Sequence, residues 1–324
     1  MQFESRMNRP YFLTREDCPI CSSKKNKKIY EQPYSKDPIK GYLESFYSPQ
    51  GGVEFCYLEN VNYSLIECQN CLLIYQKYIP NDEIMELLYE RWIDPKLAFK
   101  RHLENDDLEY FSNIAQEVMQ IIAYFGKIPS ELDFFDFGMG WGKWALMAKS
   151  FGCNSYGSEL SKRRIDYSRS NGINIVLWED IAQHQFDFIN TEQVFEHLPD
   201  PLNTLIHLKK SLKVDGLIKI SVPTTNDINR RLKIMDWKSG KGERNSLNAV
   251  APLEHINFFR RRSLIDLATR AGLSEVYIPV RIQYQYTSKW SGSNRIAMNL
   301  LLPIIRNILK KQNYIFLRNS HSML

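Results

Sequence analysis

No run in the chain approaches the roughly 18 consecutive apolar residues that a membrane-spanning helix needs, so no bilayer span is expected. The opening stretch, Met1 to Tyr11, is polar and mixed in charge, which is unlike a secretory leader, and a cytoplasmic location is the expectation. A strong excess of one charge is also missing. The formal net charge is +5 over 324 residues, too mild to point to nucleic acid, although it leaves anionic small molecules open. A further absence is a single glycine: after Gly138-x-Gly140-x-Gly142, Lys143 stands where a dinucleotide fingerprint needs its third glycine. A pyrophosphate-reading turn is thereby disfavoured. What the chain has in quantity is apolar surface, 44% of residues, enough for one α/β domain of ordinary size and a small accessory module.

That larger domain centres on Leu132 to Glu159. The apolar run Leu132 to Phe137 suits a buried parallel strand and stops at Gly138, Gly140 and Gly142, after which Trp144, Ala145, Leu146 and Ala148 follow a helical pattern. Such a turn lets a ligand approach the backbone closely, and the helix start offers N–H groups to acceptor atoms. A second strand, Asn154 to Ser158, ends at Glu159, about 20 residues past the first glycine, where a carboxylate can accept from both ribose hydroxyls. A nucleoside-containing cofactor is the economical reading. Downstream, Ser161 is an N-cap candidate for a helix through Ser170, and Ile173 to Val176 reads as a third strand. Phe186 to Asn190 reads as a fourth, and Leu217 to Val222, stopped by Pro223, as a fifth.

The stretch Phe135-Asp136-Phe137-Gly138-Met139-Gly140-Trp141-Gly142 resembles the first motif of the class I S-adenosylmethionine-dependent methyltransferases. Thr191 to Pro201, with its Glu196-His197 pair and Pro199-Asp200-Pro201 turn, is similar to that family's fourth motif, and the ordered series is more specific than the glycines alone. The resemblance covers about Asp133 to Val280. It implies a Rossmann-like α/β fold with a seven-stranded, mostly parallel sheet and helices on both faces. It also implies S-adenosyl-L-methionine held by Asp136, Gly138, Gly140, Gly142, Glu159, Asp180, Ile181 and Gln193, with Asp180 near the adenine amino group and Ile181 covering the ring. For Asp180 a helix-capping role is an equal alternative.

The N-terminal part holds two CxxC pairs, Cys18-Pro19-Ile20-Cys21 and Cys68-Gln69-Asn70-Cys71, whose four thiolates would satisfy a tetrahedral zinc ion with no open position. Strands such as Val61 to Ile66 would have to close the long gap between them. A redox dithiol is disfavoured by two equivalent pairs, and a disulfide framework by a cytoplasmic setting. Cys56 and Cys153 are left over as expected buried thiols. Lys24, Lys25, Lys27 and Lys28 read as a solvated loop rather than a nucleic-acid contact. A paired-CxxC module ahead of a methyltransferase domain resembles the zinc-containing sugar C-methyltransferases and related methyltransferases of bacterial surface-glycan biosynthesis.

Glu254-His255-x-x-Phe258-Phe259 is similar to a segment of those enzymes whose Glu and His face the sugar and serve deprotonation. His255 is the expected base, with Glu254 beside it and His197 shaping the same pocket. Ala251-Pro252-Leu253 stands where those enzymes carry a tyrosine and a histidine, which weakens C-methylation relative to O-methylation. The expected division is a zinc module over 1–80, linker helices over 81–130, a methyltransferase domain over 131–286 with an insertion at 224–254, and a helical tail over 287–324. The insertion, with Arg230, Arg231, Lys233, Lys238, Lys241 and Arg244, reads as a basic lid or a solvated loop. Ile296, Leu300, Ile304 and Ile308 share one helical face, suited to domain packing more than to a membrane surface. The expected function is methylation of a sugar or glycan intermediate. The rivals are a methyltransferase of a quinone- or polyketide-type metabolite and a non-enzymatic zinc-dependent binding protein.

Overall fold

The computed structural model of the chain describes residues 10–104, 107–223, 227–240, 242–283, 301 and 314–320. Among these, the first strands are β1 (Phe12–Thr14), β2 (Asn26–Pro33), β3 (Asn62–Cys68), β4 (Ile74–Gln76) and β5 (Tyr78–Pro80). Next come β6 (Asp133–Phe137), β7 (Asn154–Ser158), β8 (Asn174–Ile175), β9 (Phe186–Glu192) and β10 (Leu212–Ser221). The last are β11 (Asn257–Phe258), β12 (Leu273–Val276) and β13 (Tyr314–Asn319). The chain divides into two compact units: Met1–Asn105 with Glu196–Asp200 and Thr225–Asp266, and Asp106–Phe195 with Pro201–Thr224 and Leu267–Leu324.

The second unit contains a seven-stranded sheet in the order β12-β13-β10-β9-β6-β7-β8. Strands β10, β9, β6, β7 and β8 pair in parallel, and β13 runs antiparallel to both of its neighbours. This is the mostly parallel Rossmann-like α/β architecture expected from the sequence. In β6, Phe134 lies against Phe188 and Trp144 with ring centroids 5.5 and 6.0 Å apart, while Phe135 stacks on Phe186 at 4.6 Å. Each ring withdrawn from water contributes roughly 1.5–3 kcal/mol, so these aromatics anchor the middle of the sheet. The helix Leu108–Phe125 buries Val118 and Ile121 in the same core; the Asp107 carboxylate accepts from the Tyr110 N–H at its start, and left-handed Gly126 closes its end.

Three readings change here. The third strand, expected over Ile173 to Val176, is only Asn174–Ile175, because β8 is the last strand of the sheet and has one partner. The region read as a helical tail ends in β13, where Ile315 and Leu317 are buried and the residues between them less so, a period of two instead of 3.6. Most of the proposed tail helix, including Ile296, Leu300, Ile304 and Ile308, lies outside the described residues. Of the two leftover thiols, Cys153 is buried as expected, whereas Cys56 is exposed on the short 3-10 turn Phe55–Leu58.

Charge also enters the sheet. The Lys219 ammonium, on a side chain only 4% exposed, sits 2.7 Å from both Glu117 and Glu192. Burial alone would lower its pKa, but the two carboxylates overcome that and hold it above the usual lysine value. Asp136 inside β6 accepts from Asn190 of β9 at 2.8 Å, and burial pushes its pKa up to about 7.

The first unit has a four-stranded sheet, β11-β4-β3-β2, and a ribbon of β1 with β5. Its core collects Tyr34, Tyr47, Tyr63 and Trp92 together with Ile84 and Leu88 from the stretch read as a linker. The insertion is part of this core, not a detached lid. Trp237 packs among Tyr30, Tyr42 and Tyr63, and Leu247, Val250 and Leu253 are buried beside it. Arg230 donates to Asn245 and to the Arg244 carbonyl, and Arg231 donates to the Ser246 carbonyl, so these basic side chains fasten the segment to itself. The length and charge of the insertion pointed to a lid or a solvated loop; its scattered apolar residues decide the outcome.

Candidate functional site

Because β9, β6, β7 and β8 run in parallel as neighbours, the loops after them emerge at one edge of the sheet, and the strand order reverses between β6 and β9. That edge brings together the glycine turn, Glu159, the 3-10 turn Trp178–Gln183 and Gln193. The three glycines of the turn have different reasons to be there. All have positive φ, but a Cβ on Gly138 would strike Val194 at 2.6 Å and one on Gly142 would strike Ile173 at 2.7 Å, whereas one on Gly140 would meet nothing within 4 Å. Packing therefore demands two of them, and the third faces open space. The Glu159 carboxylate is held at this turn, accepting from the N–H groups of Gly140 at 3.0 Å, Leu160 at 2.9 Å and Ser161 at 3.1 Å, with Arg164 at 3.6 Å. Ile181 is buried, and Asp180 accepts from Gln183 at 3.0 Å. Gln193 holds a left-handed backbone (φ 54°) at the end of β9, unusual for a residue with a side chain. Asp136 is different from the rest: it lies inside the sheet, bonded to Asn190.

In the first unit, the sulfurs of Cys18, Cys21, Cys68 and Cys71 lie within 4.8 Å of one another. The two knuckles have the same build. Ser22 and Leu72, each just after the second cysteine, adopt left-handed φ and donate to the carbonyls of Cys18 and Cys68 at 2.9 and 3.1 Å. The antiparallel pairing of β2 with β3 sets Asn26 opposite Cys68, which closes the long sequence gap between the pairs. Sγ to Sγ is 3.5 Å for Cys18–Cys71 and for Cys21–Cys68, close to the ~3.8 Å that thiolates ~2.3 Å from a shared tetrahedral ion adopt. The cluster could hold a metal.

Also within the first unit, ligand atoms of Glu196, His197 and His255 lie within 4.8 Å of one another. The two imidazole rings are 5.0 Å apart, edge to face. His197 Nδ1 is 2.8 Å from the Glu254 carbonyl and His255 Nδ1 is 3.2 Å from the Ala249 carbonyl. A carbonyl only accepts, so both rings carry hydrogen on Nδ1, and in the neutral form of either ring the lone pair is on Nε2. Burial lowers the His197 pKa below the usual imidazole value, though its side chain remains 25% exposed. The Glu254 carboxylate accepts from the buried Tyr47 hydroxyl at 2.6 Å.

The backbone here is locked from several sides. Arg15 donates to Asn257 Oδ1 at 2.8 Å and to the Pro199 carbonyl at 2.8 Å. Gln76 donates to the His255 carbonyl at 2.7 Å, and the Ile256 N–H to the Glu196 carbonyl at 2.8 Å. Arg15, Gln76 and Tyr47 escaped the sequence reading, since their partners lie far along the chain. Glu196 stood in the quoted motif, but nothing in its spacing tied it to His255.

A family profile described as "Methyltransferase domain" matches residues 110–277, more than half of the chain. The chain belongs to this methyltransferase family. Among curated relatives, the ubiquinone biosynthesis O-methyltransferase of Actinobacillus pleuropneumoniae serotype 7 is 30% identical over 165 residues, 46% of this chain and 64% of that protein. The chain thus spans just under two thirds of that methyltransferase. The enzyme of the same name from Shewanella pealeana is 23% identical over 242 residues, 68% of this chain and 93% of that one. Among solved structures, the plantazolicin methyltransferase BpumL in complex with a desmethyl analogue and SAH aligns at a TM-score of 0.47 with 14% identity, covering 73% of this chain and 95% of that one. No helix among the described residues is long and apolar enough to cross a membrane.

Proposed function

We propose that this methyltransferase modifies a sugar or glycan intermediate at oxygen or carbon, and that it does so with a structural zinc ion in its N-terminal unit. The observation that carries the cofactor half is the open space at Gly140, whose N–H donates to the Glu159 carboxylate. When bound there, S-adenosylmethionine supplies a methyl group on a sulfonium sulfur. Gly138, Gly140 and Gly142 would let its chain lie close to the backbone, Glu159 would accept from the ribose hydroxyls, and Ile181 and Asp180 would take the adenine ring and its amino group. Gln193 would border the same place, and Asp136 would hold the strand from behind.

On the acceptor side, His255 and His197 carry hydrogen on Nδ1 and, in their neutral forms, would take a proton from a hydroxyl or an acidic carbon at Nε2, with Glu254 kept in place by Tyr47. The Cys18, Cys21, Cys68 and Cys71 cluster, with four sulfurs and no open position, suits zinc in a structural role. The paired knuckles and the Glu254-His255 segment together favour a sugar acceptor.

A second reading is supported by the names of the relatives, both ubiquinone biosynthesis O-methyltransferases: a phenolic, quinone-type acceptor methylated at oxygen. Family membership and the open Gly140 turn weigh against a non-enzymatic binding role. The test is incubation with S-adenosylmethionine and two acceptor panels, nucleotide-linked sugars and polyprenylated phenols, followed by mass spectrometry. Methyl gain confined to the sugar panel is the expected result; gain confined to the phenols would replace the acceptor, and gain in neither panel would refute both.

A further inference from the structure

The two metal-competent groups of the first unit differ in kind. The four cysteines form a closed set. Glu196, His197 and His255 form an open one: three ligands, of which one is a buried carboxylate and two are imidazoles. Three protein ligands are what catalytic metal sites offer, since the remaining positions must be left for water or substrate.

We propose that Glu196, His197 and His255 bind a divalent cation. Each imidazole has its Nδ1 against a backbone carbonyl, Glu254 for His197 and Ala249 for His255. That outer hydrogen bond is what metal-binding histidines use to fix the tautomer and aim the other nitrogen. His197 Nε2 and Glu196 Oε1 stand 3.9 Å apart, too far to hydrogen-bond and near the ~3.3 Å that ligand atoms ~2.0–2.1 Å from one tetrahedral ion adopt. Closing the last half-ångström needs only small side-chain rotations, because Arg15, Gln76 and the Ile256 N–H already hold the three backbone segments together.

Two nitrogens and one carboxylate select a borderline first-row ion such as Zn²⁺, Co²⁺ or Fe²⁺ over Mg²⁺ or Ca²⁺, which favour all-oxygen surroundings. The remaining positions suit an oxygen donor, water or an acceptor hydroxyl. The inference deepens the acceptor-side reading and changes its agent. With an ion bound, the Nε2 lone pairs serve as ligands, and a coordinated hydroxyl releases its proton to solvent water as its pKa falls.

The experiment is cobalt uptake by the full-length protein as purified, with metal content and visible absorption read together. The wild type is expected to take one Co²⁺ beyond the metal it already carries, giving ligand-field bands without the intense near-ultraviolet thiolate-to-cobalt charge transfer. His255→Gln and Glu196→Gln should each bind that ion at least 10-fold more weakly, with the metal already carried unchanged. Because the spectrum of the wild type is itself diagnostic, misfolding of a variant does not remove the test. Wild-type protein that takes up no extra ion, or takes it up only with thiolate charge transfer, overturns the proposal. Uptake unchanged in both variants does the same. If no ion binds while methyl transfer to an acceptor proceeds, the cation site fails and the methyltransferase function stands; ion binding without methyl transfer to any acceptor leaves the site and refutes the acceptor assignment.

Discussion

The two units place their functional residues by different routes. In the sheet unit each candidate residue of that edge follows its own strand, directly or, for Ile181, in the 3-10 turn after β8, so the glycine turn, Glu159, Ile181 and Gln193 come together once the parallel strands pair. In the other unit the residues come from separate stretches of chain: Cys18 and Cys21 meet Cys68 and Cys71, and Glu196 and His197 meet His255. The first arrangement follows from local pattern plus one topological rule; the second depends on long-range strand pairing and buried polar contacts.

The sharpest way to test that contrast is to remove a thiolate. Cys68→Ser should abolish stoichiometric metal and unfold the N-terminal unit, because binding of a structural zinc contributes on the order of 10 kcal/mol to such a module. Metal analysis and limited proteolysis would read it, with early cuts expected among residues 10–104 and resistance retained across the sheet. A metal-free variant with an unchanged cleavage pattern would mean that the aromatic core around Tyr63 and Trp237 needs no ion.

The sheet unit has a polar dependence of its own at Lys219. Lys219→Met strands Glu117 and Glu192 without their cation and should cost about 3–5 kcal/mol in urea unfolding. Adding Glu117→Gln to that variant should recover part of the loss, since it removes one uncompensated charge. A single-variant cost below about 1 kcal/mol would show that the pair is well solvated and that the sheet stands on its apolar strands alone.

Asp136 gives a smaller and pH-dependent effect. Its folded pKa, near 7, lies above the ordinary aspartate value of 3.8, so folding favours the protonated form. The stabilisation is therefore complete below about pH 4 and is lost as pH rises through 7, a difference on the order of 4 kcal/mol by pH 8. Asp136→Asn should flatten that slope and be the more stable form at pH 8, as read by thermal melts across the range. A wild type whose stability rises between pH 5 and 8 by more than the variant's would reverse the sign and place an ionised carboxylate in the strand.

Much of the sheet unit was legible in sequence because parallel strands bury both faces and read as short apolar runs between glycine and proline signals. Leu132 to Phe137 and Asn154 to Ser158 match β6 and β7 closely. β13 was missed since its period-two pattern follows a stretch with helical spacing, and a strand that returns to the middle of a sheet leaves no trace of its neighbours in its own residues. The insertion was misread for a related reason: Trp237 and Val250 are buried by Tyr63, far earlier in the chain. Of the candidate sites, the cysteines and histidines were visible as types, but their grouping with Glu196, and the brace formed by Arg15 and Gln76, required the pairing of β4 with β11.

The central claim is that this chain holds S-adenosylmethionine at the turn after β6. Isothermal calorimetry of the wild type, Gly140→Val and Glu159→Ala, each checked for native circular dichroism, tests it directly. The account predicts one site per chain in the wild type, no measurable binding when a branched side chain fills the space at Gly140, and at least 10-fold weaker binding without the Glu159 carboxylate. Equal affinity in all three proteins would contradict it.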